Sequence, residues 1–118
     1  MANTTRRDAA EAAKVLATRA AEAERLGRLP DQNVALLREL GLPGMLVPQK
    51  WGGQERLFSE AVEVIAALAH GCLSSAWCAG LFAEHPWILS HLGADAQAEV
   101  WGNGPDVVVC MSFNPSAP

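Results

Sequence analysis

Basic residues are in short supply. Nine Lys and Arg stand against thirteen Asp and Glu, a formal net charge of −4, and the pI is about 5.2. Such a balance gives no electrostatic reason to expect DNA or RNA as a partner. Cysteine is scarce and odd in number, with Cys72, Cys78 and Cys110 alone. No pair has zinc-site spacing, so free buried thiols in a reducing compartment are the expectation. No run reaches the roughly 18 apolar residues that span a bilayer; residues 62–69 are too short a stretch. The first seven residues have no apolar core behind Arg6-Arg7, so no secretory signal is read there. A cytoplasmic protein with no membrane partner is expected. Paired carboxylates, metal clusters and nucleophilic triads do not stand out, and no metal is expected. Gly52-Gly53 lacks both the preceding strand and the following lysine-serine pattern of a phosphate loop. Internal repeats and low-complexity segments are also missing.

What the chain does have is helix-forming material. It is 118 residues long and half of them are hydrophobic, enough for the core of one domain or of a piece of a larger protein. Thr4 or Thr5 can cap a first helix reaching about Leu26, rich in alanine and charge, which Gly27 ends. Its apolar stripe is weak, so it belongs on the outside of a bundle. A second helix starts near Pro30, with Asp31 at its positive end. Val34, Leu36, Leu37 and Leu40 give it a buried side, and Gly41 suits the left-handed residue after it. Met45-Leu46-Val47-Pro48 is a short extended link, and residues 49–54 form a loop. A third helix covers about residues 58–70, with Ser59 near its start.

The richest stretch follows. Residues 71–87 are almost wholly apolar and carry His85, Trp77 and Trp87. A helix apolar all round has no solvent face and belongs in the middle of a bundle. Ser74 or Ser75 is placed as its cap, and Pro86 is expected to kink it near residues 82–85. Trp77 and His85 are about two turns apart, so they are expected to share a face before the kink. A short fifth helix is expected over about residues 95–101, after Gly93.

The character then changes. Residues 102–106 are a turn cluster, and 107–113 form the one convincing strand. One strand has no ladder partner. The fold class expected is therefore all-α: an up-and-down bundle of about five helices over residues 1–105, then residues 106–118 as the first strand of a middle β domain that the chain does not contain.

The order of these pieces carries a resemblance. Gly41-Leu42, Val47-Pro48 and Gly52-Gly53 reproduce a GL-x-x-x-x-VP-x-x-x-GG pattern. With Leu29-Pro30 before it, this resembles the N-terminal helical domain of the acyl-CoA dehydrogenase superfamily. The second half is similar to one branch. Ala69-His70-Gly71-Cys72-Leu73-Ser74-Ser75-Ala76-Trp77, His85, Glu99-Val100-Trp101-Gly102 and Met111-Ser112-Phe113-Asn114-Pro115 look like the oxygenase components of two-component flavin-dependent aromatic hydroxylases. Acyl-CoA dehydrogenases usually carry a threonine-glutamate-proline segment beside the flavin. Ser112-Phe113-Asn114-Pro115 has no such glutamate.

The resemblance implies a monooxygenase that takes reduced FMN or FAD from a separate flavin reductase. Such an enzyme forms a flavin C4a-hydroperoxide and hydroxylates a phenolic or polycyclic aromatic substrate. The full-length protein is expected to be a homo-oligomer and the isolated chain to have little or no activity. Two other readings stand beside it: an acyl-CoA dehydrogenase-type flavoenzyme, and a non-catalytic truncated helical module. On the hydroxylase reading His85 orients the substrate and handles its proton, while Trp77, Ser112 and Phe113 contact the cofactor. Each has a plainer reading. His85 can be a core histidine bonded to a carbonyl freed by Pro86, Trp77 can be core packing, and Ser112 can serve a local turn. Trp87 and Trp101 are assigned to packing, and His70 and His91 to helix ends.

Overall fold

The computed structural model describes residues 4–114. Six α-helices follow in order: α1 (Arg6–Thr18), α2 (Ala20–Leu26), α3 (Asp31–Glu39), α4 (Phe58–Ala69), α5 (Leu73–Leu89) and α6 (Ala94–Trp101). The all-α class is as expected, but the long first helix is two. Arg19 leaves helical geometry at φ −113° and ψ 6°, and separates α1 from α2. Only Thr18, a poorer helix former whose hydroxyl bonds back to the Val15 carbonyl at 2.7 Å, sits beside that break; its other neighbours are good helix formers.

Capping explains several boundaries. Thr5 accepts from the Asp8 N–H, and Asp8 accepts from the Thr5 N–H, closing a reciprocal box at the start of α1. Gly41 follows α3 at φ +75°, the left-handed geometry expected of it. Two boundaries differ from expectation. The α4 start is held by Glu60 accepting from the Leu57 N–H at 2.9 Å, not by Ser59. The residue before α5 is Cys72, and no side chain caps it. Ser75 is fully buried instead. Its hydroxyl accepts from the Asn33 amide at 3.2 Å and donates to Cys72 Sγ at 3.3 Å.

The core is built from small residues. Ala9, Ala12 and Leu16 of α1, Ala61, Val64, Ala67 and Leu68 of α4, and Ala76, Ala79 and Ala83 of α5 are all buried together. Alanines at these spacings let helix axes come close. At the corner between α4 and α5 there is no room for even a methyl group, since a Cβ on Gly71 would lie 1.9 Å from the Ala13 carbonyl oxygen. Met45, Leu46 and Val47 thread through this body fully or nearly fully buried. Their carbonyl neighbourhood is tied to the next strand of chain by Glu55 N–H to Val47 O and Arg56 N–H to Met45 O, both 3.0 Å.

The α5 helix overturns the expectation that it has no solvent face. Its buried stripe is alanine, whereas Leu73 is 73% and Trp77 70% exposed. The bulky apolar residues point outward because the inward positions admit only small ones. Pro86 does not end the helix: residues 73–89 are helical throughout, with Pro86 inside. Proline removes only its own N–H, and the next turn still closes through Ser90 N–H to Pro86 O at 2.9 Å.

A second, smaller cluster forms where Val47, Leu89 and Trp101 meet, with Trp51, Val100, Val107 and Val109 against it. It holds Val107 and Val109 of the segment 107–114, which has no regular structure. The expected strand at 107–113 is therefore not formed among the described residues, for want of a neighbouring strand to bond. Residues 115–118 of the expected second segment lie outside the described residues. Of the three cysteines, Cys72 is buried and Cys78 half-buried, but Cys110 is exposed, contrary to expectation, and none is in a disulfide.

Two outcomes follow from this packing. Ala79→Leu overfills the α4–α5 contact and lowers unfolding free energy by about 1–3 kcal/mol, whereas Leu73→Ala stays within about 0.5 kcal/mol. Urea titration of both variants checks the inverted face. The second concerns acid. The Thr5 hydroxyl, then its N–H, lowers the Asp8 pKa, and the Leu57 N–H lowers that of Glu60. A depressed carboxylate contributes stability above its unfolded pKa and loses it as pH falls through the folded value. Melting temperature is expected to drop below about pH 4, and the drop shrinks in the Asp8→Asn, Glu60→Gln double variant.

Candidate functional site

The outward face of α5 and the neighbouring face of α4 form an apolar groove of about 320 Å³. Val62, Ile65 and Ala69 line one side, and Leu73, Trp77 and Leu81 the other. Glu84 is the one charged residue at its wall. Trp77 also borders a second groove toward the start of α3, beside Leu29, Ser74 and Cys78. Its indole is therefore not core packing. It is a wide flat apolar surface presented to whatever lies beside it.

Further along α5 the same helix does the opposite with His85. The imidazole is 6% exposed. Its Nδ1 lies 3.0 Å from the Val109 carbonyl oxygen. A carbonyl only accepts, so Nδ1 carries a proton and donates it. In the neutral ring that leaves Nε2 as the nitrogen able to accept a proton. The partner carbonyl is not one freed by Pro86 in the same helix, as the plainer reading expected, but one from the segment 107–114. Trp77 and His85 consequently do not line one groove. Eight residues of helix put them about 80° apart in projection, enough for one to face outward and the other to sit under the segment.

Ser112 and Phe113 lie near the end of that segment. Both are exposed, Phe113 at 74%. The Ser112 hydroxyl accepts from the Asn114 N–H at 3.2 Å, a local turn contact, and its own O–H stays able to donate. His85 and Ser112 thus share one short stretch of chain, one bonded to it and one on it. The helix-end histidines behave as expected: His91 Nδ1 lies 2.9 Å from the Trp87 carbonyl, and His70 is exposed at the end of α4. Trp101 is buried, whereas Trp87 is 40% exposed and meets Phe58 and His91 edge-on.

Sequence reading missed Gln97 and Trp51. Gln97 is buried and fully used. It accepts from the Trp51 indole N–H at 3.0 Å and donates to the carbonyls of Ser90 and Leu92. This junction fixes the end of α5 against α6 and the loop at 49–54. A lone glutamine in an otherwise ordinary amphipathic helix gives no signal of such a role. No group of three or more His, Cys, Asp or Glu able to hold a metal exists among the described residues.

A planar, largely apolar ring system needs a flat apolar wall and hydrogen-bonding groups toward its polar edge. Trp77 and the α4–α5 groove fit the first need, and the Ser112 hydroxyl fits the second. The Trp77 groove suits one face of a flat ring, while Ser112 lies on a different element outside that groove's lining. No helix among the described residues is long and apolar enough to cross a membrane.

Comparison with known proteins agrees with the sequence resemblance. Residues 3–104 match the family model described as acyl-CoA dehydrogenase, N-terminal domain. The chain is 38% identical over 96 residues to the oxygenase component of an FADH2-dependent resorcinol hydroxylase from Rhizobium sp., covering 81% of this chain and 24% of that protein. It is 38% identical over 103 residues to HsaA, the oxygenase subunit of a flavin-dependent monooxygenase from Rhodococcus jostii, covering 85% and 26%. The crystal structure of 3-HSA hydroxylase from Rhodococcus sp. RHA1 superposes with a TM-score of 0.75 at 32% identity, covering 89% of this chain and 27% of that one. The chain thus spans about a quarter of the length of the curated relatives it matches.

The exposure of the four indoles can be checked directly. Acrylamide quenching of tryptophan fluorescence is expected to lose its most accessible component in Trp77→Phe. The Trp101→Phe variant is expected to leave that component in place.

Proposed function

Because the chain belongs to the acyl-CoA dehydrogenase N-terminal domain family, we propose that it serves as the helical domain of a reduced-flavin-dependent monooxygenase acting on a phenolic or polycyclic aromatic substrate. The domain division expected from the sequence is part of this proposal: helical body to residue 105, then a segment that joins a middle β domain. The observation that carries the reading is the outward apolar wall of α5, with Trp77 70% exposed over a groove and few charges near it. The names of the relatives, which are oxygenase components and flavin-dependent hydroxylases, support the same class.

Reduced flavin, FMN or FAD, would supply the activated oxygen when bound, delivered by a separate reductase. The chain's own residues contribute the surroundings. Trp77, Ile65 and Leu81 exclude water from one side, which matters because a wet site wastes activated oxygen. The indole face orients a flat ring by stacking. Ser112 offers a hydroxyl toward the ring edge, and Phe113 adds an apolar contact beside it. His85 holds its Nδ1 proton on Val109 and takes the phenolic proton at Nε2. A phenol that shares its proton is more electron-rich at the carbons ortho and para to the oxygen, where an electrophilic oxygen adds. Substrate, flavin reductase and a homo-oligomeric full-length form are the partners this reading implies.

The test is a reductase-coupled assay on a full-length protein carrying this domain, with a panel of phenols. Hydroxylated product is expected from at least one of them. His85→Ala is expected to cut product formation about 10²–10⁴-fold while flavin oxidation continues with release of hydrogen peroxide. Flavin oxidation with no product from any phenol would sink the proposal.

A further inference from the structure

Residues 105–113 have no ladder partner, so individual contacts decide where they lie. Between those residues two side chains of the helical body tether the segment by hydrogen bonds. One is His85, through Val109 O. The other is Arg38 at the end of α3. Its Nε donates to Asp106 Oδ1 at 3.1 Å and its Nη2 to Asp106 Oδ2 at 2.9 Å, a two-pronged pair. The same Nη2 reaches the Asp106 backbone carbonyl at 3.3 Å. Arg38 therefore grips both the side chain and the main chain of one residue. Val107 and Val109 rest on Val47, Leu89 and Trp101 between the two tethers. Three residues of extended chain reach no more than about 10 Å, so fixing Asp106 restricts where the Val109 carbonyl can go.

We propose that Arg38 and Asp106 are positioning residues for His85: their ion pair pins residues 106–109 so that the Val109 carbonyl faces the imidazole and holds its proton on Nδ1. The proposal deepens the hydroxylase reading, on which Nε2 must stay free for the substrate, and rests on it for its functional meaning. The pair is half-exposed, with side-chain exposures of 46% and 55%, so it acts by local order and not by bulk stability. Loss of the grip lets the segment lift and the imidazole choose its tautomer.

The test is two-bond proton–nitrogen correlation NMR on the ¹⁵N-labelled 118-residue chain at a pH where imidazoles are neutral. The unaltered chain is expected to show His85 as a single Nδ1–H tautomer. Arg38→Gln and Asp106→Asn are each expected to shift the closed-to-open ratio of the segment about fivefold. That shift should bring up the Nε2–H form of His85, with His70 and His91 signals unchanged. Neither variant touches the buried clusters, and the unchanged histidines report that the fold is intact. An Nε2–H form in the unaltered chain, or a pure Nδ1–H form retained in either variant, would overturn the proposal. Failure of the hydroxylase reading is seen elsewhere, in the product assay, and leaves the tautomer result as it stands.

Discussion

The close approach of α4 to α5 on one side and to α1 on another is the constraint on which the rest depends. Ala61, Ala67, Ala76, Ala79 and Ala83 meet at that contact, and Gly71 turns the corner against Ala13 with no space to spare. Small residues at helical spacing bring backbones near one another and gain many weak contacts. The cost is that larger side chains cannot enter. Leu73 and Trp77 are consequently displaced to the outer surface of the same helix. On the monooxygenase reading, that surface is the wall for cofactor and substrate.

The second half of the candidate site comes from a different source. It is made by laying an irregular segment over a buried histidine. Trp101, Val47 and Leu89 provide the bed, and His85 provides the bond. One helix thereby contributes a flat hydrophobic wall near its start and an oriented imidazole near its end. The two do not share a groove within this domain. On the monooxygenase reading, they are joined by the ligand and by the domains that cover it.

Much of this was readable from the residues. Gly27, Gly41 and Thr5 mark their helix ends by mechanisms that need no tertiary context. The motif order from Gly41 to Gly53 pointed to the family that the comparisons show. The direction of α5 was not readable by counting apolar residues, because Trp77 and Ala79 score alike as hydrophobic while only one fits inside. Reading residue volume along the helix would have found it, since Ala76, Ala79 and Ala83 form the stripe. The His85 partner lies 24 residues away in sequence, beyond any local signal. Gln97 was invisible in part for the same reason: its Trp51 partner lies 46 residues away, although Ser90 and Leu92 are near in sequence.

Asn33 sits in the middle of the molecule with Arg19 on its carbonyl at 3.3 Å and the Ser75 hydroxyl on its amide. The chain of bonds continues to Cys72. It crosses from the α1–α2 break through α3 into the first turn of α5. A rotation of α5 by one residue would strand the amide and the hydroxyl together in an apolar interior. Close packing already resists such a rotation, and this polar thread adds a directional restraint to it. It therefore acts as an index mark: the compass bearing of Trp77, on the far side of the rod, is held by the alanine stripe together with a hydrogen bond that never touches it.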